Sequence, residues 1–303
     1  MTTLAPVSVP PAAPLRVRTV TPARRTRNVV ATVLICLSVA VALIPLGFVL
    51  FYVVEKGTRV FGLAFLTKPI PTIDRHIGPG MGPAVLGTLL VTGAATAMAV
   101  PLGVLAAVYV SEYGAANRLA GVIRFLADVM AGVPSIVMGL FIYTVWVLHF
   151  KSKGLSAFAG ALALGCLMLP IVIRGTESML RLVPGELREA SYALGSRKSR
   201  TILSVVLPAA LPGITSSCLL AVARAAGETA PLLFTLGIVS KNNFSLFKGT
   251  NTALSAQIFV NAQSPFVGAQ ERAWGAAFTL IALVLVLTVV ARFISARLTV
   301  RER

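Results

Sequence analysis

Six apolar runs divide this chain, at residues 29–54, 84–110, 121–148, 155–173, 214–239 and 273–294. Each is long enough to cross a bilayer, which takes about 20 helical residues. This removes most fold classes. A segment in hydrocarbon satisfies its backbone hydrogen bonds either within itself, as a helix, or within a closed barrel. Barrel strands alternate apolar and polar residues, and these runs do not alternate. The expected fold class is all-α, a polytopic membrane protein with six transmembrane helices. The chain is 56% hydrophobic and 12% charged, against about 25% charged in soluble domains.

Six spans place both termini on one side. Of 27 lysines and arginines, 17 lie on that side, 9 on the other, and Arg224 falls inside a span. The excess marks the side with both termini as cytoplasmic and the protein as multi-pass in the inner (plasma) membrane. Trp146 and Trp274 then fall at the outer ends of the third and sixth spans. The net charge of +17 sits between spans and at the ends, with no aromatic-interleaved basic module. Membrane lipid is its expected partner, and nucleic acid is not. The first run is too long for a cleaved signal and lacks a small-residue cleavage site, so it reads as a retained helix. Cys36, Cys166 and Cys218 lie in apolar stretches and read as small buried hydrophobes. His76 and His149 stand far apart, and no metal-ligand spacing occurs. The expected organisation is a disordered cytoplasmic tail at 1–28 and a transmembrane domain at 29–303, with a cytoplasmic loop at 175–213.

That loop is polar but patterned. Pro184-Gly185 ends the helix of the fourth span. Glu186 opens a short new helix, with Glu186 and Glu189 in the first turn, where the helix dipole favours acids. Leu187, Ala190, Ser191 and Leu194 recur at helical spacing and form a narrow apolar face. Gly195 stops the helix, and Pro208 and Pro212 mark the turn into the fifth span. Such a helix inserts into a partner's groove or lies on the lipid surface; its shape leaves both open.

The charges inside the spans are the candidate site. Arg224 lies roughly 15 Å into the fifth span, from a rise of about 1.5 Å per residue. An isolated arginine at mid-depth costs on the order of 3 kcal/mol or more. Glu228, four residues on, shares its face and can pair with it. Arg174 and Glu177 form a second pair at the inner end of the fourth span. Both pairs admit two readings, a salt bridge that fixes helix packing or a path for an anion. Arginine holds an oxyanion by two parallel hydrogen bonds. A third pair, Arg124 and Asp128, reads as structural, with the arginine snorkelling to the interface. Pro101, Pro134, Pro170 and Pro231 each sit inside a span and mark bends. Beside two of them, Ser135 and Thr229 donate either to a bound anion or to carbonyls freed by the bend.

Glu189-Ala190, Gly195 and Val205-Val206-Leu207-Pro208 reproduce the spacing of the EAA loop of ATP-driven importer permeases. Together with AGVPSIVMGLF at 131–141, LPIVIRGTESMLRLVPGELREASYALG at 169–195 and ARAAGETAPLLFT at 223–235, they make the chain resemble the PstA-type permease subunits of bacterial phosphate ABC importers. The resemblance covers the third through fifth spans; the tail, the first span and the outer loops carry no motif. It implies a type I ABC importer permease fold and inward passage of inorganic phosphate. The partners it implies are an ATPase subunit dimer, a second homologous (PstC-like) permease in a heterodimer, and an external phosphate-binding protein. It sets Arg174, Glu177 and Arg224 at charged positions associated with phosphate passage, with Glu228, Thr229 and Ser135 beside them. It makes 175–213 a coupling loop in which Glu186, Leu187, Glu189, Ala190, Leu194 and Gly195 form the ATPase-docking helix. Ser191 stands where the motif has Ala.

No Walker G-x-x-x-x-G-K-[ST] run occurs. The expectation is a non-catalytic chain without a cofactor of its own, ATP and Mg being bound by the partner ATPase. The rival readings are a permease for another oxyanion (sulfate or molybdate) and a stand-alone ion-driven secondary transporter. An intramembrane enzyme is disfavoured by the lack of a metal motif or nucleophile dyad.

Overall fold

A computed structural model describes residues 22–72, 80–114, 117–150 and 154–300. Residues 1–21 of the expected tail, and His76, lie outside the described residues. The elements are all helical: α1 Pro22–Val60, α2 Leu63–Thr67, α3 Gly82–Val108, α4 Arg118–Gly132, α5 Ser135–Ile142, α6 Ala157–Leu182, α7 Gly185–Ala193, α8 Lys198–Thr201, α9 Leu207–Ala226, α10 Ala230–Thr235, α11 Leu254–Ala262 and α12 Val267–Val300. Single π turns join several of them, at Tyr109–Tyr113, Tyr143–Val147 and Ile202–Val206.

The chain forms two compact units, one ending at Phe51 and one beginning at Tyr52. In the first, α1 starts at Pro22, inside the segment expected to be tail, and its side chains from Val29 to Phe51 are exposed. Cys36 is among them, so it is not the buried hydrophobe expected; Cys166 is half-buried and Cys218 buried.

The second unit is built around α3, α6 and α9. Their buried positions recur every three or four residues: Ala84, Thr88, Val91, Ala95, Ala99, Gly103 and Ala107 on α3; Ala157, Ala161, Leu164, Met168 and Val172 on α6; Ala210, Ile214, Cys218, Ala221 and Ala225 on α9. Most are small. Helices in lipid gain nothing from hiding apolar surface, so they associate by close approach, which small residues permit. α3 and α6 approach closely at Gly103, where an added Cβ would lie 2.7 Å from Val172 Cγ1.

Among the described residues, five helices are long and apolar enough to cross a membrane: Pro22–Val60, Gly82–Tyr113, Ala157–Leu182, Lys198–Ala226 and Val267–Val290. The third expected span is not a straight helix. It breaks between Gly132 and Ser135, and its two parts are bent by 105°. Val133 is extended there, with φ −73° and ψ 128°, the conformation that a following proline favours. The fifth differs also. Its helix begins at Lys198, in the polar loop, and stops at Ala226 rather than reaching residue 239. Pro208 and Pro212 lie inside this helix instead of turning into it. A proline ring clashes with the carbonyl four residues back. For Pro208 that residue is Ser204, which falls within the π turn Ile202–Val206, where the helix is wider. After Gly227 the chain resumes as α10, with Pro231 in its first turn, where a missing N–H costs nothing. Pro101 and Pro170, by contrast, lie inside unbroken α3 and α6.

Gly103→Val will therefore push α3 from α6 at a cost of about 1–3 kcal/mol, read as a lower thermal midpoint of the detergent-purified protein. Gly93, on the open side of α3 with nothing within 4 Å of a built Cβ, takes the same substitution with a much smaller loss.

Candidate functional site

The first cluster lies where α4 meets the later turns of α6. α6 carries Arg174, Glu177 and Arg181, and α4 carries Arg124 and Asp128. The sequence suggests two pairs, one within each helix. The structure joins them across the helices as well. Arg124 Nε donates to Glu177 Oε1 at 2.7 Å. Arg174 Nε donates to Asp128 Oδ1 at 2.8 Å, and its Nη2 pairs with Asp128 Oδ2. Arg174 keeps the expected contact within α6, with Nη1 donating to Glu177 Oε2 at 2.9 Å. Arg181 Nη2 donates to Glu177 Oε1 at 2.7 Å. The expected Arg124–Asp128 pair is thus replaced by one network of five side chains. The reason is geometric: α4 faces α6, so the cross-helix partner is as near as the one a turn away.

Glu177 is the buried member, with 3% of its side chain exposed. A buried carboxylate costs several kcal/mol unless it is paired and its lone pairs are filled. Three guanidiniums pair with it and donate three hydrogen bonds to its two oxygens. Three arginines against two carboxylates also leave the cluster one net positive charge. Arg174 spends all three nitrogens on this network, its Nη2 also donating to the Arg124 carbonyl at 3.2 Å.

The second group lies at the break after α9. Arg224 is in the last turn of α9, and Glu228 follows beyond the helix end. Both line a narrow cleft with Leu167, Met168 and Ile171 of α6, residues midway along that helix. Arg224 is therefore level with the middle of α6, and it lies near the end of the helix Lys198–Ala226 rather than ten residues into a span that starts at Ile214. Along α6 the centre of this cleft precedes Arg174 by roughly 5–10 Å, at about 1.5 Å per residue. The pairing is loose: Arg224 Nε stands 3.7 Å from Glu228 Oε1, and 69% of the arginine side chain is exposed. Ser255 Oγ of α11 donates to the Glu228 carbonyl at 2.8 Å, satisfying one group that the break frees. Thr229 precedes α10 without making a capping hydrogen bond, and is half-buried. Ser135, also half-buried, opens α5 at the other break. α5 and α10 pack together, with a Cβ on Gly139 only 2.5 Å from Pro231 Cα. The two interrupted segments thus meet.

The third element is α7. Glu186, Leu187, Glu189, Ala190 and Leu194 are exposed, Leu194 to 87%. Gly195 ends the helix with φ +78°, its N–H donating to Tyr192 O at 2.9 Å while that of Ser196 donates to Ser191 O at 3.2 Å. This paired closure needs the left-handed conformation that glycine supplies. Ser191 does not belong to the exposed ridge, where its spacing had placed it. It is buried, and its Oγ shares a hydrogen bond with Thr201 Oγ1 at 2.9 Å. That bond gives a reason for a hydroxyl in place of the motif's Ala. Arg188 turns inward as well, pairing with Glu112 at 2.8 Å. No sequence signal marks that partner, which lies 76 residues away.

Residues 99–301 match the family described as "Binding-protein-dependent transport system inner membrane component". The chain is 43% identical over 297 residues to "Phosphate transport system permease protein PstA 1" of Mycobacterium tuberculosis (strain ATCC 25618 / H37Rv), covering 97% of this chain and 95% of the relative. It is 42% identical over 275 residues to "Phosphate transport system permease protein PstA" of Yersinia pestis, covering 90% and 92%. Among solved structures, a chain of the MetNI methionine ABC transporter in an inward-facing conformation superposes with a TM-score of 0.52 at 20% identity, covering 71% of this chain and 91% of that one. At that identity the likeness concerns the fold alone.

Replacing Glu177 by Leu leaves three guanidiniums without their shared anion, at a cost of ~3–5 kcal/mol. Arg181→Ala, which removes a largely exposed partner, costs within about 1 kcal/mol. Thermal unfolding of the purified protein measures both.

Proposed function

We propose that this chain, which belongs to the family of binding-protein-dependent transport system inner membrane components, is the permease subunit through which an ATP-driven importer passes inorganic phosphate. It is a multi-pass inner-membrane protein with a type I ABC importer permease fold. The relatives named for phosphate transport span nearly the whole chain, and they favour phosphate over sulfate, molybdate or a stand-alone ion-driven carrier.

The observation that carries the site is the loosely held Arg224 at a helix break level with mid-α6. An arginine whose charge is not consumed by a close partner can take a tetrahedral oxyanion by two parallel hydrogen bonds. Glu228, 3.7 Å away, competes for the guanidinium and keeps the anion from binding too tightly. Thr229 and Ser135 supply hydroxyls at the two breaks. Interrupted helices commonly line such sites in transporters, where the freed backbone faces a cavity rather than lipid. Arg174 is already bonded on every nitrogen, so it takes the anion only by exchanging Asp128 or Glu177. Arg224 therefore receives phosphate first, and the cluster with its net positive charge draws it on.

The energy comes from a partner. Glu186, Leu187, Glu189, Ala190 and Leu194 of α7 and its close dock an ATPase dimer, which binds the ATP and Mg. An external phosphate-binding protein delivers the substrate, and a second PstC-like permease completes the path as a heterodimer. Both termini lie in the cytoplasm. Residues 29–303 form the permease domain, 175–213 its coupling loop, and 1–28 a tail whose last residues open α1 at Pro22. ATP closure moves α7, and alternating access opens the Arg224 level first outward and then inward.

Arg224→Gln should lower phosphate uptake ~10–100-fold, the worth of a charge-assisted bidentate contact, while the complex still assembles; unchanged uptake contradicts the site. Excess sulfate should leave uptake of labelled phosphate unaffected, whereas strong sulfate uptake without phosphate uptake would overturn the substrate. Leu194→Asp should strip the ATPase subunit during purification without lowering the amount of permease in the membrane.

A further inference from the structure

The π turn Tyr109–Tyr113, at the end of α3, touches both functional regions. Its Val110 carbonyl accepts from Arg124 Nη2 at 2.9 Å, and the same guanidinium holds Glu177 through Nε at 2.7 Å. Two residues on, Glu112 receives Arg188 of α7 twice, from Nη2 at 2.8 Å and from Nε at 3.4 Å. Only 6% of the Glu112 side chain is exposed. Arg188 also donates to the last carbonyls of α6, from Nη1 to Val183 at 2.8 Å and from Nη2 to Leu180 at 3.0 Å. The neighbouring Tyr113 ring lies 4.8 Å from Lys198 Nζ at the start of α8.

Arg188 and Ser191 are thus the members of α7 that face the body of the protein, while Glu186, Leu187, Glu189 and Ala190 face outward. A displacement of α7 has two ways into the bundle. One runs through Ser191 and Thr201 into the continuous helix Lys198–Ala226, which ends beside Arg224. The other runs through Arg188 and Glu112 into the π turn, and from Val110 to Arg124. The second route matters because α4 is separated from α5 by the break at Val133. Apolar faces slide past one another, whereas a two-point ion pair transmits both push and pull. Isolated π turns are places where a helix changes register without breaking.

We propose that the Arg188–Glu112 pair is the positioning joint that carries movement of α7 through the π turn to Arg124, loosening its hold on Glu177 and so freeing the cluster to exchange partners with the passing anion. The proposal rests on α7 being the ATPase-docking helix. It assigns neither residue a contact with phosphate or with the ATPase. Coupling of this kind requires an element with two arrangements that both sites bias, and the proposal assigns that part to the π turn, which contacts both sites.

The test uses the whole transporter, with its ATPase, second permease and binding protein, in proteoliposomes. Phosphate moved and ATP hydrolysed are measured together for Glu112→Gln, Arg188→Gln and Glu112→Asp. Both glutamine variants should assemble and hydrolyse ATP, yet move about tenfold less phosphate per ATP, within the usual range of coupling energies. Glu112→Asp, which keeps the carboxylate, should recover most of the ratio. A purely structural tie would lower assembly or thermal stability and leave the ratio alone. An unchanged ratio in both glutamine variants overturns the joint, and so does loss of the ATPase subunit from both. Absence of ATP-driven phosphate uptake by the unaltered transporter would instead overturn the functional reading beneath it.

Discussion

Glu177 would not survive where it sits without Arg124, Arg174 and Arg181. It is nearly sealed from solvent, in a segment built to lie in or against lipid, and its ionised form is tolerable because three guanidiniums donate to its two oxygens. This clasp ties α4 to α6 through Arg124–Glu177 and Arg174–Asp128. The same interaction fixes what the cluster can do. Its arginines outnumber its acids, so it favours an approaching anion, but no guanidinium in it is idle.

The division of labour between the two charged levels follows from that. Arg224 pairs loosely with Glu228 and has a largely exposed side chain; Arg174 has close partners on every nitrogen. One is suited to receiving an oxyanion and the other to exchanging for it. The interrupted helices support this arrangement. Backbone in hydrocarbon must be satisfied internally. The break at residues 227–229 is tolerated because Ser255 answers the Glu228 carbonyl and because α10 packs closely on α5. Charge and irregular backbone therefore occur together, at the break that follows Arg224.

Much of this was legible in the residues. Apolar runs located the spans, because a bilayer imposes a minimum length that composition cannot disguise. The short helix at 185–193 and its stop at Gly195 followed from capping chemistry. Other features were not legible, for physical reasons. Charges at i, i+3 and i, i+4 can pair within a helix, but α4 and α6 carry such charges on facing sides, and packing decides between the two choices. Pro101 and Pro170 look like Pro134 and Pro231 in the sequence, yet only the latter two mark breaks. Apolar periodicity also hid the start of the fifth helix, since Lys198 and Arg200 are polar but helical. Helical spacing places Ser191 on the apolar ridge of α7, but its bond to Thr201 turns it inward. Arg188 and Glu112 are joined only by the fold.

The central claim is that the level of Arg224 and Thr229 borders a path that water and anions reach in one state of the transport cycle. The most direct measurement is thiol labelling of Thr229→Cys in the assembled transporter, with Cys36, Cys166 and Cys218 replaced by serine or alanine. A charged, membrane-impermeant reagent added from one side should modify the new cysteine, and ATP should change the rate. A cysteine that stays unlabelled from both sides, with and without ATP, in a complex that still transports phosphate, would contradict the account.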